Sequence, residues 1–187
     1  VTKNLVRSHI DLSVTNCVFD YLQYGIQFQN INGGKLVLGK KNKGNLFTHC
    51  YQPASFYDFI NVDISVAGNK FIIPKGVYYG VDVVSTPASK FIFESQTRKT
   101  PVKIEFNDFR MIGGDCGLWM HDHRRIQYPD ENMPMAVEVS NNKVLMTDNA
   151  YIAFSMVDLR DAVIRNNNFT GHGLYGCSSS GCANKGM

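Results

Sequence analysis

The densest group of polar side chains in the chain is the run His121-Asp122-His123-Arg124-Arg125. A histidine beside a carboxylate can take up and return a proton as base and acid. An arginine next to them can neutralise an acidic substrate and so ease removal of a neighbouring proton. His-x-His could also bind a metal, and the alternative is a charged loop that only meets solvent. The run therefore predicts catalytic roles for His121, Asp122 and Arg124, with Arg125 available to bind substrate.

The composition around this run is that of one globular domain. The chain has 187 residues, of which 44% are hydrophobic and 19% charged. No apolar run approaches the ~18 residues of a membrane helix, so we expect no membrane partner. The net charge of +3 comes without a dense basic face, so we expect no nucleic-acid partner either.

The cysteines suggest neither a disulfide framework nor a zinc site. There are five of them, so at least one thiol is unpaired within a monomer. Cys177 and Cys182 could close a small loop. We expect Cys17 and Cys116 to be small buried residues within strands. No pair has the spacing and partners of a zinc site, and no cofactor follows from the sequence.

The elements that must position these side chains are short strands with tight turns. The 17 Asn and 16 Gly residues favour turns, and long segments with helical periodicity are missing. An apolar-x-Asn-Asn-x-Phe-like pattern recurs, with copies that begin at Val14, Val66, Ile104, Val139 and Ile164. A Gly-apolar-x-apolar pattern follows each copy, beginning at Gly25, Gly76, Gly117, Ala150 and Gly173. Residues 36–38 indicate an additional strand. Such repeats are typical of a solenoid, and a β-sandwich is the main rival.

These paired patterns resemble the coils of right-handed parallel β-helix proteins of the pectate-lyase-like superfamily. The resemblance implies one all-β domain over residues 1–187 that forms a right-handed solenoid. The spacing of the repeats indicates about six to seven coils. It also implies a ladder of corner asparagines, with Cys17 in the first position and Asn69, Asn107, Asn142 and Asn167 after it. We find no cap at either end. We therefore expect a fragment of a longer chain, whose ends neighbouring domains or other copies in a homo-oligomer could cover.

Strand alternation predicts which side chains face outward. If Leu118 and Met120 point into the core, Trp119 and His121 point out. By the repeat spacing, Tyr78 and Tyr175 are equivalent to Trp119, with a gap at Ala153. A row of outward aromatics suits the apolar faces of sugar rings, so Trp119, Tyr78 and Tyr175 are candidate substrate-binding residues. The alternative is ordinary packing beneath an inserted loop.

Two further motifs, Gly113-Gly-Asp-Cys116 and Gly171-His-Gly173, loosely resemble signatures of polygalacturonase-type glycoside hydrolases. That resemblance implies catalytic roles for Asp115 and His172. Hydrolysis needs two carboxylates, and Gly114 stands where the family has the first of them. His172 could equally occupy a turn.

The superfamily includes lyases, glycoside hydrolases, phage tailspikes and adhesins, and the fold does not select among them. The residues predict an extracellular or cell-surface protein that acts on polysaccharide, as a polysaccharide lyase or glycoside hydrolase if it is an enzyme. The alternative is a non-catalytic carbohydrate-binding or structural module, such as a tailspike shaft or an adhesin.

Overall fold

The chain is built from β-strands. A computed structural model describes residues 9–85, 101–122, 136–159 and 161–180. Within these residues there is no helix, and therefore none that could cross a membrane. The strands are β1 (Ile10–Val14), β2 (Val18–Asp20), β3 (Tyr24–Leu38), β4 (Leu46–Thr48), β5 (Gln52–Ala67), β6 (Lys70–Pro74), β7 (Tyr79–Ser85), β8 (Val102–Glu105), β9 (Asp108–Ile112), β10 (Cys116–Asp122), β11 (Ala136–Ser140), β12 (Lys143–Thr147), β13 (Ile152–Val157), β14 (Asp161–Arg165), β15 (Asn168–Gly171) and β16 (Tyr175–Ser180).

The strands wind into six coils of three strands each, and the named strands pair in parallel throughout. Strands β3 and β5 turn a corner without a break, so each contributes to two faces. Face 1 contains β1, the second parts of β3 and β5, β8, β11 and β14. Face 2 contains β2, β4, β6, β9, β12 and β15, and face 3 contains the first parts of β3 and β5, β7, β10, β13 and β16. The predicted parallel β-helix is confirmed, and the parallel pairing excludes the β-sandwich.

Each coil passes from face 1 to face 2 at a sharp corner. The corner residue has the left-handed conformation in five of the six coils, namely Asn16 (φ 56°), Gly68 (69°), Phe106 (58°), Asn141 (57°) and Asn166 (55°). Asn and Gly tolerate this conformation best, which explains why they recur there. The next residue points toward the neighbouring coils and forms the ladder.

The predicted ladder of Asn69, Asn107, Asn142 and Asn167 is present. In each step the Oδ1 atom of one asparagine accepts hydrogen bonds from the backbone N–H and the Nδ2 of the asparagine one coil earlier. Asn45, which the repeat pattern did not reveal, adds a further member. These bonds satisfy polar groups that the coil stacking would otherwise bury unpaired.

Cys17 takes the first position of the ladder, as predicted, with its backbone N–H 2.9 Å from Oδ1 of Asn45. Its side chain is exposed, whereas Cys116 is buried. The expectation of burial was therefore wrong for Cys17, which lies on the first described coil and has a described neighbouring coil on one side only.

Inward phenylalanines two residues after the ladder positions form a stack through the core. The stacked rings are Phe19, Phe47, Phe71 and Phe109, with successive centroid distances of 4.6, 4.9 and 5.0 Å. Val144 interrupts the stack in the fifth coil. Phe154 of face 3 fills that space and meets Phe109 edge to face at 5.8 Å. This apolar interior determines which side chains of face 3 must point outward.

The second coil contains a short insertion at its corner. It covers residues 40–43, and the backbones of Lys40 and Lys43 hydrogen-bond to each other at 3.2 and 2.9 Å. Nζ of Lys41 lies 4.5 Å from the ring centre of Phe106. The additional strand predicted at 36–38 belongs to β3 and begins this coil. The insertion separates that strand from Asn45, which explains why the sequence repeat was not recognised there.

Candidate functional site

Face 3 carries the predicted outward side chains of β10. Leu118 and Met120 are fully buried, and the alternating residues Trp119 and His121 are partly exposed, with 12% of the His121 side chain accessible. The predicted alternation is therefore confirmed.

The predicted row of Tyr78, Trp119 and Tyr175 is wrong in register. Trp119 pairs with Asp82 on one side and Ser155 on the other. Tyr175 pairs with Ile152, and Ile152 with Cys116, which places Tyr175 three positions before the Trp119 row. Tyr78 lies four positions before it, because Tyr79 pairs with Cys116.

The error came from the glycines that were used to align the coils. Gly117 directly precedes Leu118, and the residues in register with Leu118 are Val81 and Cys177. The glycines equivalent to Gly117 are therefore Gly80 and Gly176. Gly76 and Gly173, which the sequence pattern suggested, lie in the preceding turns. Ala153, predicted as a gap in an outward row, is fully buried. Both Gly76-Val-x-Tyr and Gly80-Val-x-Val fit the repeat, and only the strand pairing separates them.

A different aromatic row exists at the beginning of face 3, and we call it the tyrosine ridge. Its members come one from each of five coils and are Tyr24, Tyr51, Tyr78, Tyr151 and Tyr175, with 44, 45, 48, 48 and 53% of their surface exposed. In the fourth coil the exposed residue at this place is Asp115. Tyr51, Tyr78, Asp115 and Tyr151 are in register along the axis of the solenoid, whereas Tyr24 and Tyr175 lie one position later on their strands. Asp115 divides the ridge into two groups.

Members of the ridge contact one another. The rings of Tyr51 and Tyr78 meet edge to face at 5.6 Å, and those of Tyr151 and Tyr175 at 5.7 Å. The pKa of Tyr51 is raised, first by desolvation and then by the Tyr78 phenol and by Tyr24. The phenol groups of the first three coils are therefore close together.

A buried carboxyl group lies beside Trp119. The side chain of Asp82 is 2% exposed, and its Oδ2 atom accepts a hydrogen bond from the Tyr57 hydroxyl. Oδ1 makes no hydrogen bond of normal geometry to a residue that the structure describes, and the same holds for Oγ of Ser55, which pairs with Asp82 in register. We call Ser55, Tyr57, Tyr79, Asp82 and Trp119 the Asp82 cluster.

Burial controls the protonation of this cluster. Desolvation raises the pKa of Asp82 to about 6, and the hydrogen bond from Tyr57 opposes that rise. The pKa of Tyr57 is raised by its own burial and then by the Asp82 carboxylate. The pKa of Tyr79 is raised by burial and next by the charge of Asp82, so its phenol also lies near that carboxyl group.

A continuous path of rings joins the ridge to the Asp82 cluster. Tyr78 lies 6.3 Å from Tyr79, and Tyr79 lies 5.3 Å from Trp119, both with tilted planes. Trp119 meets the His121 ring edge to face at 5.9 Å. The path crosses face 3 obliquely, from the exposed start of the third coil to the end of β10.

Two of the predicted catalytic residues lie at that end of β10. Nε2 of His121 is 3.3 Å from Oδ2 of Asp158, on the next coil. This pairing was not predicted, since Asp158 is 37 residues away in the sequence. Asp122 is buried, with 2% of its surface exposed, and so is not presented to solvent beside His121.

The other predicted catalytic residues lie apart from this pair. Asp115 is exposed at the start of the strand, six positions before His121, or roughly 20 Å along an extended chain. His172 is exposed in the turn after β15, where its backbone N–H donates to the Met146 carbonyl at 2.7 Å. Arg124 and Arg125 lie outside the described residues.

Sequence reasoning missed Asp82 and three members of the ridge. A signal was present for Tyr51 and Tyr151, because each stands directly before the first residue of a strand, β5 and β13 respectively. The signal for Asp82 was weaker, because it consists only of a single carboxylate inside the apolar run 81–84. Among the described residues no group of three or more His, Cys, Asp or Glu side chains could hold a metal ion.

Comparison of the chain with protein-family models, with curated proteins and with solved structures found no match in any of the three.

Proposed function

We propose that this β-helix binds a polysaccharide along the tyrosine ridge. The observation that carries the proposal is the exposure of one tyrosine in each of five coils at the beginning of face 3. Tyr51, Tyr78 and Tyr151 are in register, and Tyr24 and Tyr175 lie one position later on their strands. Large exposed apolar side chains that lie close together mark an interaction surface, since single ones are scattered on ordinary surfaces.

The chemistry of the ridge suits sugars. A tyrosine offers an apolar ring that packs on the C–H face of a pyranose, and a hydroxyl group that exchanges hydrogen bonds with sugar hydroxyls. Successive coils are about 4.8 Å apart, so the ridge offers repeated contacts to a polymer that runs along the solenoid axis. Repeated weak contacts on one chain add up to a useful affinity.

The β-helix also supports membership of the pectate-lyase-like superfamily, which the sequence resembles. A polymeric glycan as ligand is consistent with a location outside the cell or on its surface. In this proposal a non-catalytic carbohydrate-binding module, such as an adhesin or a tailspike shaft, needs the ridge alone.

A glycan array and affinity electrophoresis test the proposal. The panel contains polygalacturonate and neutral glucans, and the variants are Tyr78→Ala, Tyr151→Ala and the double variant. Leu145→Ala is the matched control, because Leu145 is an exposed apolar residue on face 2. We expect retention of at least one polymer that falls in each tyrosine variant and most in the double variant. A wild-type protein that is retained by no polymer would overturn the proposal.

A second candidate function is cleavage of the bound polymer. It is favoured by the His121–Asp158 pair next to Trp119, because a carboxylate-oriented histidine can act as acid or base. Elimination would be seen as new ultraviolet absorbance from unsaturated sugars, and hydrolysis as new reducing ends. His121→Gln should abolish either signal while retention on the polymer persists. A protein that is retained by the polymer and releases no product leaves the binding module as the function.

A further inference from the structure

The Asp82 cluster contains an unusual pair of buried oxygen atoms. Oδ1 of Asp82 and Oγ of Ser55 are both shielded from solvent, and neither makes a hydrogen bond of normal geometry to a described residue. The Ser55 side chain nevertheless lies close enough to the Tyr57 hydroxyl to oppose the rise in the pKa of Tyr57. More than nine in ten buried polar groups in proteins are hydrogen-bonded, because an unpaired one costs about 1–3 kcal/mol. Two such atoms side by side therefore point to a group that they are built to hold.

The strand pairing places the two oxygens together. Ser55 on β5 and Asp82 on β7 are direct partners in register, and both belong to the outward row that continues to Trp119. Directly paired residues on neighbouring strands are about 4.8 Å apart. At this separation both oxygens can bond to one atom between them.

The two groups have different hydrogen-bond capacities. An ionised carboxylate only accepts, whereas a serine hydroxyl can donate as well as accept. An atom held by both is best served if it donates to Asp82 and accepts from Ser55. A hydroxyl group meets that requirement, while a carboxylate or phosphate oxygen would be repelled by Asp82.

We propose that Asp82 and Ser55 form a subsite for one hydroxyl group of a sugar whose ring lies against Trp119. The Tyr57 hydroxyl occupies the other carboxylate oxygen, Oδ2, and thereby orients Oδ1 toward the subsite. Because both oxygens are shielded from solvent, binding requires a neighbouring side chain to move, and the adjacent Tyr57 and Trp119 are both partly exposed. This inference rests on the proposed function in one respect, namely that the ligand is a carbohydrate.

The subsite extends the reach of the ridge. Tyr79 connects Tyr78 of the ridge to Trp119, with ring centres 6.3 and 5.3 Å away. A polymer on the ridge can therefore place one branch or one end on this oblique path. There the unpaired oxygens select for a hydroxyl group, since a site built to bond a hydroxyl strongly disfavours ligands that lack it.

Trp119 is the only tryptophan in the chain, so its fluorescence reports on this site directly. The experiment titrates the protein with glucose, galactose and galacturonate and follows the Trp119 emission. The variants are Asp82→Asn and Ser55→Ala. Ser155→Ala is the matched control, because Ser155 is the partner of Trp119 on the opposite side. Circular dichroism and melting curves establish that each variant is folded.

We expect a saturable change in emission with at least one sugar, unchanged in Ser155→Ala and weakened about tenfold or more in Ser55→Ala and Asp82→Asn. The corresponding deoxy sugar should lose the response. No saturable response with any sugar, or equal affinity in all four proteins, would overturn the proposal and mean that the two oxygens hold only a water molecule.

Polymer retention on the ridge is measured separately, so the two proposals can fail independently. A Trp119 response to a monosaccharide without retention of any polymer would support the subsite and contradict the proposed function. Polymer retention that depends on Tyr78 and Tyr151, without any Trp119 response, would support the proposed function and contradict the subsite.

Discussion

Asn69 accepts two hydrogen bonds from Asn45, the residue at the same corner one coil earlier, with its Oδ1 atom 2.9 Å from both the backbone nitrogen and Nδ2 of Asn45. Its own Nδ2 donates to the Leu38 carbonyl at 2.8 Å and to Oδ1 of Asn107 at 3.1 Å. A single side chain therefore joins three successive coils. The corner is held together by such amides, because the surrounding phenylalanine stack offers no polar partner.

Removal of an inner ladder residue should destabilise the protein strongly. In Asn107→Ala, the backbone N–H of Asn69 and the carbonyl of Val66 lose the partners that Asn107 supplies. We expect the free energy of unfolding to fall by roughly 2–4 kcal/mol, since each buried unpaired group costs about 1–3 kcal/mol. Urea unfolding measures the change.

The control for this variant is Asn168→Ala. Asn168 follows the ladder residue of the last coil, but its side chain is exposed. We expect a change within about 0.5 kcal/mol for it. Equal stability of the two variants would contradict the structural role of the ladder.

Extension of the ladder at its first position should stabilise the protein slightly. In Cys17→Asn, the new Nδ2 group can donate to Oδ1 of Asn45, which already accepts from the Cys17 backbone at 2.9 Å. We expect a gain of about 0.5–1.5 kcal/mol in the free energy of unfolding, the usual net value of one hydrogen bond. Cys17→Ala separates this gain from the loss of the thiol. A variant Cys17→Asn that is less stable than Cys17→Ala would count against the predicted geometry.

The repeating part of the fold could be predicted because each coil is closed by local chemistry. Asn141 takes the left-handed corner conformation, Asn142 the ladder position and Val144 the core position, all within four residues. Asn45 escaped detection because residues 40–43 interrupt that local unit. A pattern of fixed spacing does not survive an insertion, although the hydrogen bonds do.

Introduction of a sixth tyrosine into the tyrosine ridge should strengthen the proposed polysaccharide binding. Asp115 occupies the ridge position of the fourth coil and is exposed there. Asp115→Tyr would join the Tyr51–Tyr78 group to the Tyr151–Tyr175 group. We expect affinity for a retained polymer to rise several-fold, because adjoining contacts on one chain act together.

Asp115→Asn serves as the control for charge. If the polymer is acidic, this control should also gain affinity, since it removes a repelling carboxylate. If the polymer is neutral, only the tyrosine variant should gain. A tyrosine variant with unchanged or weaker retention would contradict the role assigned to the ridge.

The candidate site was harder to predict than the fold, because it depends on the register between coils. Trp119 and Asp82 are 37 positions apart in the sequence and direct neighbours in the sheet. Between them lies a stretch of chain whose length does not follow the repeat, so no spacing rule brings them together. The same holds for His121 and Asp158. Alternation correctly predicted that Trp119 and His121 face outward, since it depends on the strand alone.

Asp82 should make the protein less stable as the pH rises from about 4 to about 6. Its pKa in the folded protein is about 6, against an ordinary value of 3.8, so the folded state binds more protons than the unfolded state in this window. Stability from this group is therefore fully present at low pH and is lost as the carboxyl group ionises. The two values differ by about 2 pKa units, which corresponds to at most about 3 kcal/mol.

Comparison with Asp82→Asn isolates this contribution, because the other carboxyl groups titrate alike in both proteins. The amide that this substitution introduces would remain neutral and could still accept the hydrogen bond from Tyr57. The stability of the variant relative to the parent should therefore rise between pH 4 and pH 7 and then stay constant. Urea unfolding at a series of pH values measures the difference. If the difference in stability between variant and parent does not change across this range, Asp82 ionises at its ordinary pKa. Other interactions in the folded protein would then offset the desolvation of its carboxylate.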